Sequence, residues 1–123
     1  MAKIYLVEDD QAIKDVLEIF LTLEDHVVRS FGTVQEFSQR DLSEEVNLYL
    51  FDVMLPDGSG IDLCYEIKND QDQRDIPVIM MSAHANFNKM KDLCHPDSFV
   101  SKPFDIDNLL LHIKRIILKE SRS

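Results

Sequence analysis

The chain has 123 residues, 45% hydrophobic and 29% charged, with three Gly, four Pro and a formal net charge of −10. That length suits one packed domain, and the composition excludes a low-complexity or disordered chain. The acidic balance disfavours direct contact with nucleic acid, whose phosphates call for clustered Lys and Arg.

In chain order, Lys3 to Val7 reads as a first strand, closed by the acidic triplet Glu8, Asp9 and Asp10. Its apolar run is far too short for a signal peptide or a membrane span, so a cytoplasmic protein without membrane insertion is expected. Gln11 to Glu24 carries Ile13, Val16, Leu17, Phe20 and Leu23 at helical spacings, which predicts one apolar stripe. A second strand follows at 26–31 and a weaker helix at Thr33 to Arg40. The run Leu48 to Asp52 is a third strand that ends on a carboxylate, with Pro56, Gly58 and Gly60 shaping the loop to a helix over Gly60 to Asn69.

Residues 77–82 form a fourth strand ending at Ser82, Phe87 to Cys94 a helix stopped before Pro96, and 98–101 a fifth strand that leads into Lys102 and Pro103. The last segment places Ile106, Leu109, Leu110, Ile113 and Ile117 on one stripe, with Asp105 as N-cap and Lys114, Arg115 and Lys119 toward the C-terminal end. The order is five βα units. Strands that are apolar without strict alternation are buried on both faces, which predicts a doubly wound α/β domain over 1–123, a five-stranded parallel sheet with helices on both faces. Cys64 and Cys94 form no ligand pattern and read as free thiols.

In such a sheet ligands bind beyond the carboxyl ends of the strands. Glu8, Asp9 and Asp10 stand at the exit of the first strand, Asp52 at the third, Ser82 at the fourth and Lys102 after the fifth. Carboxylates brought within about 4 Å repel by about 4 kcal/mol per pair at an effective dielectric near 20, and a divalent cation relieves this. All-oxygen ligands with no His or Cys suit Mg²⁺, which keeps waters for substrate oxygens. A lysine and a hydroxyl beside it suit phosphoryl transfer, with Asp52 the best-placed nucleophile.

These residues, within Leu6 to Asp10, Leu50 to Gly60, Pro77 to Ala83 and Phe99 to Phe104, resemble the response-regulator receiver domains of bacterial two-component signalling, and the resemblance runs from Lys3 to Lys119. It implies a flavodoxin-like fold with Asp52 as phosphoacceptor, Asp9 as a direct Mg²⁺ ligand beside Asp52 and the Met54 backbone carbonyl, and Glu8 as a ligand through water. It implies that Ser82 and Lys102 bind the phosphoryl group, that Phe99 is the aromatic switch, and that Asp10 caps the first helix. Implied partners are a histidine kinase, a phosphotransfer protein or a small phosphodonor, and a downstream protein on the face of the fourth helix, fifth strand and fifth helix.

The implied product is a switch that assists only its own phosphorylation and dephosphorylation, acting alone. Met54 and His84 stand where the family controls water access to the acyl phosphate. The segment from Ser82 to Lys102 is about two residues short of the family's spacing, and the usual small residues before the fifth strand are replaced by "CHPDSFV". An altered fourth helix or following loop is expected. Two other readings compete: a metal-dependent phosphohydrolase of the aspartyl-phosphate type, which usually has a second acid where Met54 stands, and a binding module that works without phosphorylation.

Overall fold

The computed structural model describes residues 1–83 and 87–121, with the side chains of 87–90 and 120–121 outside that description. Strand β1 (Lys3–Val7) leads to α1 (Gln11–Leu23), β2 (Val27–Phe31), α2 (Val34–Ser38) and β3 (Leu48–Asp52). A short hairpin of β4 (Met54–Leu55) and β5 (Gly58–Ser59) precedes α3 (Gly60–Lys68), β6 (Val78–Ser82), α4 (Phe87–Cys94), β7 (Ser98–Ser101) and α5 (Ile106–Ser121). The main sheet is parallel in the order β2-β1-β3-β6-β7, and β4 pairs antiparallel with β5. The expected doubly wound, flavodoxin-like sheet is thus the observed one.

Side chains alternate across each strand, so the continuous apolar runs divide into two cores. Tyr5, Val7, Tyr49, Phe51, Val78 and Met80 face Phe37 of α2, Leu63, Cys64 and Ile67 of α3 and Cys94 of α4. Ile4, Leu6, Leu48, Leu50, Ile79 and Met81 face Leu17 and Leu21 of α1 and Leu109 and Ile113 of α5. Cys64 and Cys94 are buried and form no disulfide, and the Cys64 thiol donates to the Cys94 carbonyl at 3.3 Å.

Three local features depart from the sequence reading. The loop after Asp52 contains the β4–β5 hairpin, where only turn residues were expected. Helix α1 rests on Ile13, Leu17 and Leu21, while Val16, Phe20 and Leu23 of the expected stripe are exposed. Apolar residues on α1 cover more than one face, and the i, i+4, i+8 row meets the sheet. Helix α4 has only eight residues and ends where His95 takes a left-handed conformation, φ 53°, its amide donating to the Lys91 carbonyl at 3.2 Å. His95 performs the stop that a glycine usually supplies. Of the expected core stripe on α4, Cys94 is buried; the Phe87 and Met90 side chains lie outside the described residues, as does His84.

Candidate functional site

The order β2-β1-β3 reverses direction between β1 and β3, and the crevice beyond their carboxyl ends is where the chemistry-bearing side chains gather. Glu8 extends the β1–β2 ladder by one bond, its amide donating to the Phe31 carbonyl at 2.9 Å, so its side chain is fixed at the sheet edge. It is fully buried. Asp10 turns away to cap α1, accepting the amides of Ala12 and Ile13 at 2.9 and 3.2 Å. Asp9, between them, is exposed.

Asp52 ends β3 and is 6% exposed. Its backbone is held tightly: the amide of Val53 donates to Met81 at 3.0 Å, and the amide of Gly60 to Val53 at 2.9 Å. Gly60 lies so close that a methyl in place of its hydrogen would stand 2.0 Å from the Asp52 carbonyl oxygen. The hairpin is tied from outside by Asp57, whose carboxylate accepts the amides of Val34 and Gln35 at the start of α2, 2.8 and 3.0 Å away. Those two amides hold the Asp57 carboxyl below the usual aspartate range. Sequence reasoning passed over Asp57; the only signal was an acid in a Pro/Gly turn, and its partners are more than twenty residues distant.

Lys102 reaches into the crevice from the end of β7. Its ammonium donates to Glu8 Oε2 at 2.6 Å and to Asp52 Oδ2 at 3.0 Å. Burial lowers its pKa, but the two carboxylates outweigh this and hold it above the ordinary lysine value. Burial pushes Glu8 up to about 7; Lys102 and the Asp10 amide oppose that rise and neighbouring Asp52 adds to it. Ser82 is buried at the exit of β6, where its carbonyl accepts the Lys102 amide at 2.8 Å. Phe99 lies on β7, the strand next to β6, half-buried against the core on the α2–α4 side. Met54 is exposed on the hairpin, and its amide points to Asp52 Oδ1 at 3.3 Å.

Glu8, Asp9 and Asp52 each offer a carboxylate oxygen, all within 4.8 Å of one another. Three carboxylates against the single ammonium of Lys102 leave a formal charge of −2 when all are ionised. The donors are hard oxygens, and Asp9 opens the cluster to solvent, so the set fits a divalent cation that retains water. Without one, a proton on Glu8 is the remaining relief.

A family model described as the response regulator receiver domain matches residues 4–114. Among curated relatives, the transcriptional regulatory protein GltR of Pseudomonas aeruginosa is 36% identical over 116 residues, 93% of this chain and 48% of the relative. The response regulator ArlR of Staphylococcus aureus is 32% identical over 122 residues, 98% of this chain and 54% of the relative. The chain spans about half the length of these relatives. Among solved structures, the receiver domain of a signal transduction histidine kinase from Syntrophus aciditrophicus is similar with a TM-score of 0.90 at 25% identity, covering 100% of this chain and 95% of that one. A CheY-like response regulator receiver domain protein from Methanospirillum hungatei is similar with a TM-score of 0.89 at 27% identity, covering 99% and 98%.

Proposed function

Because the chain belongs to the response-regulator receiver family, we propose that it is a phosphoacceptor signalling module that takes a phosphoryl group onto Asp52. Receiver domains serve as signalling modules that bind Mg²⁺ at an acidic pocket and interact with histidine kinases and downstream partners. The observation that carries the residue-level reading is the contact of one buried ammonium, Lys102, with both Glu8 and Asp52 at 2.6 and 3.0 Å, beside a cluster of three carboxylates.

In this reading an Asp52 oxygen attacks phosphorus while the bond from phosphorus to the donor's nitrogen or acyl oxygen breaks, its electron pair leaving with the donor. The donor is the phosphohistidine of a kinase or phosphotransfer protein, or a small acyl phosphate. Asp9, Asp52 and the Met54 carbonyl would hold Mg²⁺, with Glu8 reaching it through water, and the ion would supply neutralising charge for the phosphoryl oxygens. Lys102 then exchanges its contact with Asp52 for a phosphoryl oxygen, and the Ser82 hydroxyl donates to another. Lys102 is joined to β6 through the Ser82 carbonyl. A movement of Ser82 therefore reaches β7, which carries Phe99, and biases the face of α4, β7 and α5 toward one of two states. No helix among the described residues is long and apolar enough to cross a membrane, and a cytoplasmic location is part of this reading.

The test is intact-mass analysis after incubation with Mg²⁺ and several small acyl phosphates. One added phosphate on the wild type and none on Asp52→Asn is expected. An unmodified wild type with every donor overturns the reading, and steady turnover of a phosphate ester, lost in Asp52→Asn, favours the hydrolase instead.

A further inference from the structure

A hairpin with two residues in each strand is marginal by itself, yet β4–β5 carries the Met54 backbone beside Asp52, its amide pointing to Asp52 Oδ1 at 3.3 Å. The base of the hairpin is fixed from the sheet side. The Val53 amide donates to the Met81 carbonyl at 3.0 Å, the Gly60 amide to the Val53 carbonyl at 2.9 Å, and Leu55 is buried in the core. The tip, residues 56–58, is exposed and is held from α2. Asp57 engages both carboxylate oxygens there, Oδ1 accepting the Val34 amide at 2.8 Å and Oδ2 the Gln35 amide at 3.0 Å.

Helix α2 has a cap of its own. The Thr33 hydroxyl accepts the Glu36 amide at 3.0 Å, and the Glu36 carboxylate returns to the Gly32 amide at 3.0 Å, an exchange close to a capping box. Those contacts leave the Val34 and Gln35 amides to an acceptor from elsewhere, and a carboxylate serves both at once. The two amides hold Asp57 below the usual aspartate range, so it is ionised at neutral pH. The hairpin thereby gains a second fixed point outside its own turn. The pairs Met54–Ser59 and Leu55–Gly58 carry that constraint from the tip back to Met54.

We propose that Asp57 is a positioning residue for phosphorylation, clamping the hairpin tip to α2 so that the Met54 peptide keeps its place beside Asp52 and its carbonyl remains available to Mg²⁺. The role of that carbonyl rests on the phosphoacceptor reading. Removing an outer partner that orients a metal ligand typically costs about 10–100-fold in metal affinity. Asp57 acts through two residue pairs rather than on the ligand itself, so a loss at the low end, about 10-fold, is expected.

The test reads Mg²⁺ binding with no phosphodonor present, by NMR titration of the full chain observed at the Met54 amide. Asp57→Ala is expected to raise the half-saturating Mg²⁺ concentration about 10-fold, and Asp57→Asn, which keeps one oxygen acceptor, to raise it less. Thr33→Ala is the control: it removes a cap of α2 without touching the hairpin, and should lower stability in urea while Mg²⁺ binding stays as in the wild type. Labelling by a small acyl phosphate should follow the same order at limiting Mg²⁺ and converge at saturating Mg²⁺. Wild-type Mg²⁺ affinity in Asp57→Ala, at whatever stability, overturns the proposal. An equal loss of affinity in Thr33→Ala also overturns it, because the effect would then lie in α2 alone. A wild type that binds Mg²⁺ but accepts no phosphoryl group overturns the phosphoacceptor reading, while the titration still decides on Asp57; a wild type without any Mg²⁺ response overturns both.

Discussion

Gly60→Ala tests how the acceptor strand is held. None of the described glycines has a positive φ, so the residue is needed at this place for space rather than for its dihedral freedom. An added methyl would stand 2.0 Å from the carbonyl oxygen and 2.8 Å from the carbonyl carbon of Asp52, with Met80 Cε 3.3 Å away, whereas real contacts of this kind stay above 3.0 Å. Either main chain must therefore retreat by about 1 Å, within a turn already fixed by the Gly60 to Val53 hydrogen bond of 2.9 Å. Overpacking of this kind costs about 1–3 kcal/mol. Alanine recovers at most about 1 kcal/mol of helix propensity, and less at the first position of α3. A net loss of about 1–2 kcal/mol in urea unfolding is expected. Because a reacting group misplaced by about 1 Å can slow chemistry on the order of 100-fold, labelling by a small acyl phosphate should slow as well. Gly58→Ala is the control: the nearest neighbours of its methyl belong to the Val34 side chain, Cγ2 at 3.0 Å, which can yield by rotation. Gly60→Ala with unchanged stability and labelling rate would refute the argument that close approach fixes Asp52.

Lys102→Met removes the ammonium from fully buried Glu8 and is expected to cost about 3 kcal/mol, as breaking a buried ion pair does. Adding Glu8→Gln should restore most of it, and additive losses in that double-mutant cycle would mean the pair is not coupled. His26 Nδ1 accepts the Ala2 amide at 3.1 Å, and burial, followed by the N-terminal ammonium, lowers its pKa below the ordinary 6.5. A depressed histidine binds more protons unfolded, so its contribution is present above pH 6.5 and lost as pH falls below it. The stability difference between wild type and His26→Gln in urea should therefore shrink on acidification from pH 8 toward 5; a difference constant with pH contradicts the assignment. Asp97 Oδ2 accepts both the Val78 amide at 2.8 Å and the Lys68 ammonium at 2.6 Å. Asp97→Ala should cost about 1–3 kcal/mol, because it strands the Val78 amide, and Asp97→Asn, which keeps an acceptor, should cost less; the reverse order in urea melts would remove Asp97 as an anchor.

The five βα units were legible because burial on both faces leaves each strand a solid apolar run, and a carboxylate, hydroxyl or lysine at the end of such a run is conspicuous. That Glu8, Asp52 and Lys102 meet is a matter of topology: Lys102 contacts a residue 94 positions away, and only the parallel order brings β7 near β1 across β3 and β6. The α1 stripe was misread because spacing says that apolar residues share a side, not which side meets the sheet. The α1 sequence offers two rows, and the sheet took the one ending in Leu21. The β4–β5 hairpin was not legible, since two residues a strand carry no periodicity. Asp57 was invisible because its partners, the amides at the start of α2, acquire meaning only once the chain is folded.

The short segment between Ser82 and Lys102 acquires a physical sense from its fixed points. At its far end Asp97 returns to the start of β6, its amide donating to the Val78 carbonyl at 2.8 Å and its carboxylate accepting the Val78 amide. Lys68 braces that turn from α3, donating also to the Ile76 carbonyl at 3.0 Å. At the near end the segment leaves from Ser82, beside the crevice. A segment pinned at the start of β6 and departing from its end has little slack, and α4 stops at Cys94 with His95 in the left-handed conformation, just before the turn held by Asp97. The pairing of β6 with β7, Met80 beside Phe99 and Ser82 beside Ser101, is thereby kept. The β6–β7 register thus sets Lys102 just past the exit of β6, where its ammonium reaches both Asp52 and Glu8.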